Sequence, residues 1–162
     1  MIMKIFNFKG GIKVAPFIVL IASFLLFRVA GFFGWAYFDG WHPSLQGAVA
    51  VMLLLTATAH WGKRRSDLIR MVPPSFPRRD LIVTATGWLE IAAAIGIMIP
   101  ATSEAASVCL TVLLIAMFPA NVRAAREKLT IGGKPVPGLF VRTLLQLIFI
   151  TAVILASPIF GQ

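Results

Sequence analysis

Two residues of this chain place charge well inside apolar runs: Arg28 and Glu90. A charge in an apolar medium is costly and persists by facing a partner or a polar cavity. Glu90 gives the sharper signal. Thr86, Gly87, Ala93 and Ala94 share its side of a helix by i±3 and i±4 spacing. Such a small, polar face lets a neighbouring helix come close. Two chemistries are open: a carboxylate that titrates or binds a ligand, and a structural acid that is neutral or paired. Arg142 lies about one turn inside the last apolar run, with Gln146 four residues further along its face. His60 and Asn121 stand near the ends of two other runs. His60 could titrate or meet a quinone, or simply sit at an interface beside Trp61. His60, Glu90, Asn121, Arg142 and Gln146 form the candidate ligand-binding set, and Arg28 with Glu90 the candidate ion pair.

Other chemistries have little to stand on. His42 and His60 flank opposite ends of one run, and no HxxH, CxxC or ExxH spacing exists, so no metal is expected. Cys109 is the single cysteine, which excludes an intramolecular disulfide. It is expected to pack inertly. No phosphate loop or nucleophile elbow is present. The sequence offers no catalytic residue and leans away from an enzyme.

The elements that must position these side chains are membrane helices. Of 162 residues, 59% are apolar and 13% charged, where a soluble domain is nearer half and about a quarter. Mean hydropathy is +0.89. A soluble fold of this size could not hide so much apolar surface. That excludes a soluble enzyme, a disordered tail and a disulfide scaffold. The expected class is all-α: a polytopic transmembrane bundle with five spans, at Val14–Phe38, Ser44–Trp61, Leu81–Ile99, Glu104–Val122 and Leu139–Ser157. Asp39-Gly40, His42-Pro43, Pro73-Pro74, Pro100, Gly132-Gly133 and Pro135–Pro137 separate them. Helix one has too long an apolar core for a cleaved signal peptide and is expected to be retained.

The net charge of +9 would suggest nucleic acid in a soluble protein; here it sits in loops. Outside the spans, Lys and Arg number three, none, six, none, four and none from the N-terminal tail to the C-terminal tail. By the positive-inside rule the N-terminus is expected to be cytoplasmic and the C-terminus outside. The basic loops would attract anionic lipid head groups, and no nucleic-acid partner is expected. In the second loop Leu68, Ile69 and Val72 can share one side of a short interfacial helix, with Arg64, Asp67 and Arg70 facing away. Pro119 cannot donate to the Ile115 carbonyl, so helix four should loosen near Asn121.

Helical rise sets expected heights above the inner boundary. His60 and Asn121 lie near zero, Arg142 at ~6 Å, Thr56 at ~7 Å, Gln146 at ~12 Å, Glu90 at ~13 Å and Arg28 at ~18–21 Å. Gln146 is then the expected hydrogen-bond partner of Glu90. Side-chain lean favours Arg28 as its ionic partner over Arg142.

Four segments in order, Met71-Val72-Pro73-Pro74, Gly87-Trp88-Leu89-Glu90, Phe118-Pro119-Ala120-Asn121-Val122 and Arg142-Thr143-Leu144-Leu145-Gln146, follow Ala59-His60-Trp61. This set resembles the DoxX-like family of small bacterial membrane proteins. The resemblance implies a four-helix core over about residues 45–158, preceded by a tail at 1–13 and an added helix at 14–38. It also implies a redox or respiratory context, in which the chain would be an accessory or quinone-interacting subunit, with quinone the one cofactor to consider. A redox membrane partner or a homodimer would follow. One cysteine leaves no redox dithiol. The alternatives are a non-catalytic structural or lipid-binding protein, and a small proton-linked transporter using Glu90.

Overall fold

The computed structural model describes residues 15–160. The tail lysines Lys4, Lys9 and Lys13, with Val14 and Gln162, lie outside the described residues. Among the described residues seven α-helices follow one another: α1 (Ala15–Phe32), α2 (Trp41–Trp61), α3 (Arg65–Met71), α4 (Arg79–Gly96), α5 (Pro100–Ala116), α6 (Phe118–Arg126) and α7 (Leu139–Leu155). A two-stranded antiparallel hairpin, β1 (Thr130–Ile131) and β2 (Lys134–Pro135), interrupts the all-α pattern between α6 and α7. Gly132 and Gly133 turn it, at φ 58° and 73°. Both values lie in the left-handed region that a two-residue hairpin of this hand requires and glycine adopts without strain.

Helices α2, α4, α5 and α7 pack in sequence, and α7 returns to α2. Helix α1 packs on the outside of α2. The core joins Val49, Met52 and Leu53 of α2 to Ala93, Ala94, Ile97, Leu110 and Val153, and Leu20 of α1 reaches it. The exterior is apolar: Leu26, Phe32, Trp88, Val112 and Leu147 are all exposed. Three stretches are long and apolar enough to cross a membrane: α1, α2, and α5 together with α6. Helix α7 is apolar but shorter, and α4 carries Arg79, Asp80 and Glu90.

Several boundaries differ from those the sequence suggested, each for a local reason. Helix α1 stops at Phe32, not Phe38, because the chain folds back there through a 3-10 turn at Ala36–Phe38. Gly31 permits this: a Cβ at that position would lie 2.2 Å from the Phe38 carbonyl oxygen. Pro43 sits inside the first turn of α2, where a missing N–H costs nothing. Pro100 opens α5 rather than merely ending the helix before it. Pro119 breaks the fourth apolar run at Met117, giving α5 and α6 in place of one helix.

The two ends of the bundle differ in chemistry. At one, the Gln46 amide of α2 donates to Ser103 Oγ and the Ala156 carbonyl, both at 3.1 Å, and His42 Nε2 donates to the Ser157 carbonyl at 2.9 Å. At the other, α3, α6 and the hairpin form a cap. Arg123 donates to the Val72 carbonyl at 2.5 Å, and the Gly132 amide donates to Asp67 Oδ2 at 2.8 Å. Both strongly basic loops therefore meet at this end. Met71 and Val72 are buried in the cap, and Leu68 and Ile69 half-buried. The short helix of the second loop thus brackets the hairpin.

The Gly132 amide, and after it the Arg70 guanidinium, hold the Asp67 carboxyl below its ordinary range. A carboxyl depressed in the fold stabilises above its unfolded pKa of about 4, and that contribution is lost as pH falls through the folded value. Asp67→Ala should lower thermal stability at pH 7 by about 1 kcal/mol, the lower range for a charged hydrogen bond near solvent. The gap between wild type and variant should close on acidification below about pH 4. Parallel melts of both proteins in detergent across that range check it; a gap that persists in acid would contradict the assignment.

Candidate functional site

The candidate residues separate into two bonded clusters. The first lies between α2 and α4. Glu90 and His60 are 6% and 4% exposed, which makes them buried ionisable groups that must find partners. Thr56 Oγ1 donates to Glu90 Oε2 at 2.8 Å, and His60 Nε2 meets Glu90 Oε1 at 3.4 Å. His60 Nδ1 faces the Val83 carbonyl at 2.6 Å. A carbonyl only accepts, so Nδ1 carries a proton. Nε2 then faces a carboxyl oxygen. A lone pair against a bare carboxylate in a buried site would leave the charge uncompensated. One further proton between His60 and Glu90 removes that conflict. The pair is an imidazolium with a carboxylate, or an imidazole with a carboxylic acid, and both are neutral overall.

Gly87 makes the contact possible. A Cβ there would lie 2.8 Å from His60 Cβ and 2.7 Å from the Trp61 ring. The end of α2 therefore sits level with Gly87, not with the start of α4. The first two turns of α4 run on past α2, which lowers Glu90 to His60. The sequence-based height of Glu90 assumed that both helices begin at one boundary. Arg65 holds this offset: it donates to the His60 carbonyl at 2.8 Å, the Asp80 carbonyl at 3.1 Å and Thr84 Oγ1 at 2.9 Å. A basic residue just beyond a helix C-terminus is the signal that could have pointed to Arg65.

The expected Arg28–Glu90 pair is not formed. Arg28 donates to the Phe38 carbonyl at 3.2 Å and also to that of Asp39, at the far end of α1. Among the described residues the ion pairs are His60–Glu90, Asp67–Arg70 and Arg123–Glu127. Neither Arg142 nor Gln146 bonds Glu90, contrary to expectation. Both belong to the second cluster, between α7 and the α5–α6 break. There Arg142 Nη2 donates to Asn121 Oδ1 at 2.5 Å, Asn121 Nδ2 to Gln146 Oε1 at 2.6 Å, and Gln146 Nε2 to the Leu114 carbonyl at 2.5 Å. The freed backbone near Pro119 is thus met by Gln146, with Asn121 one step further along. Cys109 does not pack inside; it is exposed on α5.

A quinone carbonyl requires an unspent donor. In the first cluster Thr56 serves Glu90, His60 serves Val83 and Glu90, and Thr86 serves the Val83 carbonyl at 3.0 Å. The His60–Glu90 pair as it stands does not fit a quinone. The rings of Trp61 and Trp88, edge to face at 5.3 Å, lie exposed beside it.

Gly87→Ala should push His60 from Glu90 and destabilise the protein by about 1–3 kcal/mol, the range for overpacking. Glu90→Ala should cost about 3–5 kcal/mol if it strands an imidazolium. A double-mutant cycle of His60→Ala with Glu90→Ala should show coupling above about 0.5 kcal/mol, whereas Arg28→Ala with Glu90→Ala should be additive within that limit. Coupling of Glu90 to Arg28 rather than His60 would reverse the assignment.

The sequence matches a family described as "Domain of unknown function (DUF8561)" over residues 49–156. The match spans α2 from Val49 through α7 and leaves out α1. No curated protein and no solved structure matches the chain. The chain belongs to the DUF8561 family.

Proposed function

With the chain placed in that family, we propose that it is a five-span protein of the bacterial inner membrane, N-terminus inside and C-terminus outside, that binds lipid and carries out no catalysis. The DoxX-like order of segments is the reason to expect a four-helix core, and the packing of α2, α4, α5 and α7 supports that reading. The topology rests on the charge pattern. Ten Lys and Arg residues of the second and fourth loops lie at one end, where anionic head groups would meet them. One observation carries the lipid-binding reading. Among the described residues, the buried side-chain polar atoms are satisfied from within the bundle except Arg142 Nε. The interior polar groups fasten helices together, and the one unspent buried donor belongs to a cation.

A second reading is favoured by the Trp61–Trp88 pair, which offers a ring-stacking surface to a quinone diffusing in the bilayer. It would make the chain an accessory subunit in a redox assembly. Extraction in mild detergent separates the two. The first reading expects anionic phospholipid to co-purify without stoichiometric quinone. Stoichiometric quinone that is lost in Trp88→Leu would replace it with the second. For the topology, a phosphatase fused after Gln162 should be active outside the cytoplasm, and a cytoplasmic reporter at Met1 should be active inside. Both ends reporting on one side would refute five spans.

A further inference from the structure

We infer that Arg142, framed by Asn121 and Gln146, is a binding site for an anionic phosphate oxygen at the cytoplasmic head-group level. This rests on the lipid-binding reading and names its ligand class and its residues. The relay of bonds has a fixed direction. The Leu114 carbonyl takes the Gln146 amide, so Gln146 turns its oxygen to Asn121, and Asn121 turns its own oxygen to Arg142. A guanidinium has five N–H donors, and among the described residues this one spends a single bond, on Asn121. Its Nε is buried and without a partner.

Among the described residues no acidic side chain pairs with it. All six acidic side chains lie among the described residues. Asp67, Glu90 and Glu127 pair with Arg70, His60 and Arg123. Asp39, Asp80 and Glu104 are exposed, and none forms an ion pair with Arg142. A cation half-buried between two helices, bonded to one neutral amide and with donors unspent, calls for an anion from outside. The planar fork suits two oxygens of a phosphate. Its place suits a head group. Arg142 lies in the first turn of α7, directly after the basic hairpin, so its backbone is within about 5 Å of the helix start. The positive end of the α7 dipole adds to the attraction. Phe140, 81% exposed, and Leu144 flank it on the apolar exterior where an acyl chain would run.

Native mass spectrometry of the detergent-purified chain, titrated with phosphatidylglycerol, phosphatidylcholine or inorganic phosphate, tests this. Phosphatidylglycerol should bind first and tightest. Arg142→Gln should weaken it about tenfold or more, the value of a charge-assisted fork. Arg142→Lys should recover only part, since an ammonium lacks the fork. Arg126→Gln removes the same charge from an exposed position and should cost less than about twofold. Asn121→Asp supplies an internal counter-ion and should abolish the site while helicity is retained. This decides the matter even if Arg142→Gln fails to fold. Competition by millimolar inorganic phosphate would assign the site to a free phosphate; its failure to compete would assign it to the lipid head group. Wild type binding phosphatidylglycerol no better than Arg142→Gln or Asn121→Asp would overturn the inference and leave the lipid-binding reading standing. Wild type binding no lipid at all would overturn both.

Discussion

The fold turns on how closely α4 can approach α2. A carboxylate at Glu90 is tolerable in an apolar bundle only if a proton or a cation reaches it, and the group that arrives is His60. The imidazole is short, so the two backbones must nearly touch. Gly87 supplies the room, Arg65 fixes the offset, and the Val83 carbonyl sets the tautomer. Each of these would be without purpose if α4 stood a few ångströms further away. The small residues Ala93 and Ala94 continue the same close seam into the core.

A second constraint is the proline in the fourth apolar run. Pro119 ends α5 early, and the chain resumes as α6 after a break at Met117. That releases backbone acceptors within the bundle, and a neighbouring helix must answer them. Gln146 does so from α7 and draws Asn121 and Arg142 into line. The break also carries Arg123 to the end of α3, where it closes the cap.

Much of this was legible in the sequence. Glu90 with its small-residue face predicted a buried acid on a close seam, and Glu90 is buried on such a seam. Pro119 predicted a weakened helix near Asn121. His60, Glu90, Asn121, Arg142 and Gln146 each make polar contacts inside the bundle. The partners were not legible. Heights counted along each helix assume a common boundary, and α4 overshoots α2 by about two turns. Arg28 was read as a mid-membrane charge, because the reversal at Gly31 depends on a backbone approach that no spacing rule encodes. The hairpin's one sequence signal is the Gly132-Gly133 pair after Thr130-Ile131, and paired glycines before a proline-rich stretch read equally as a helix breaker. Asp67 looked like a solvated charge, since its partner is a backbone amide 65 positions away.

Helix α7 is anchored at both of its ends. Its far end is tied through the Ala156 and Ser157 carbonyls to Gln46 and His42. Its near end follows the hairpin latched to Asp67. It has 17 residues, and at 1.5 Å per residue it covers about 26 Å, against a hydrocarbon layer of about 30 Å. A helix fastened at both ends cannot slide along its axis, and tilting would shorten its reach further. In the proposed topology the lipid must adapt instead, thinning around this side of the bundle. A few ångströms of mismatch, at fractions of a kcal/mol for each, would bias the protein toward thin regions of its membrane and toward neighbours that share the same deformation.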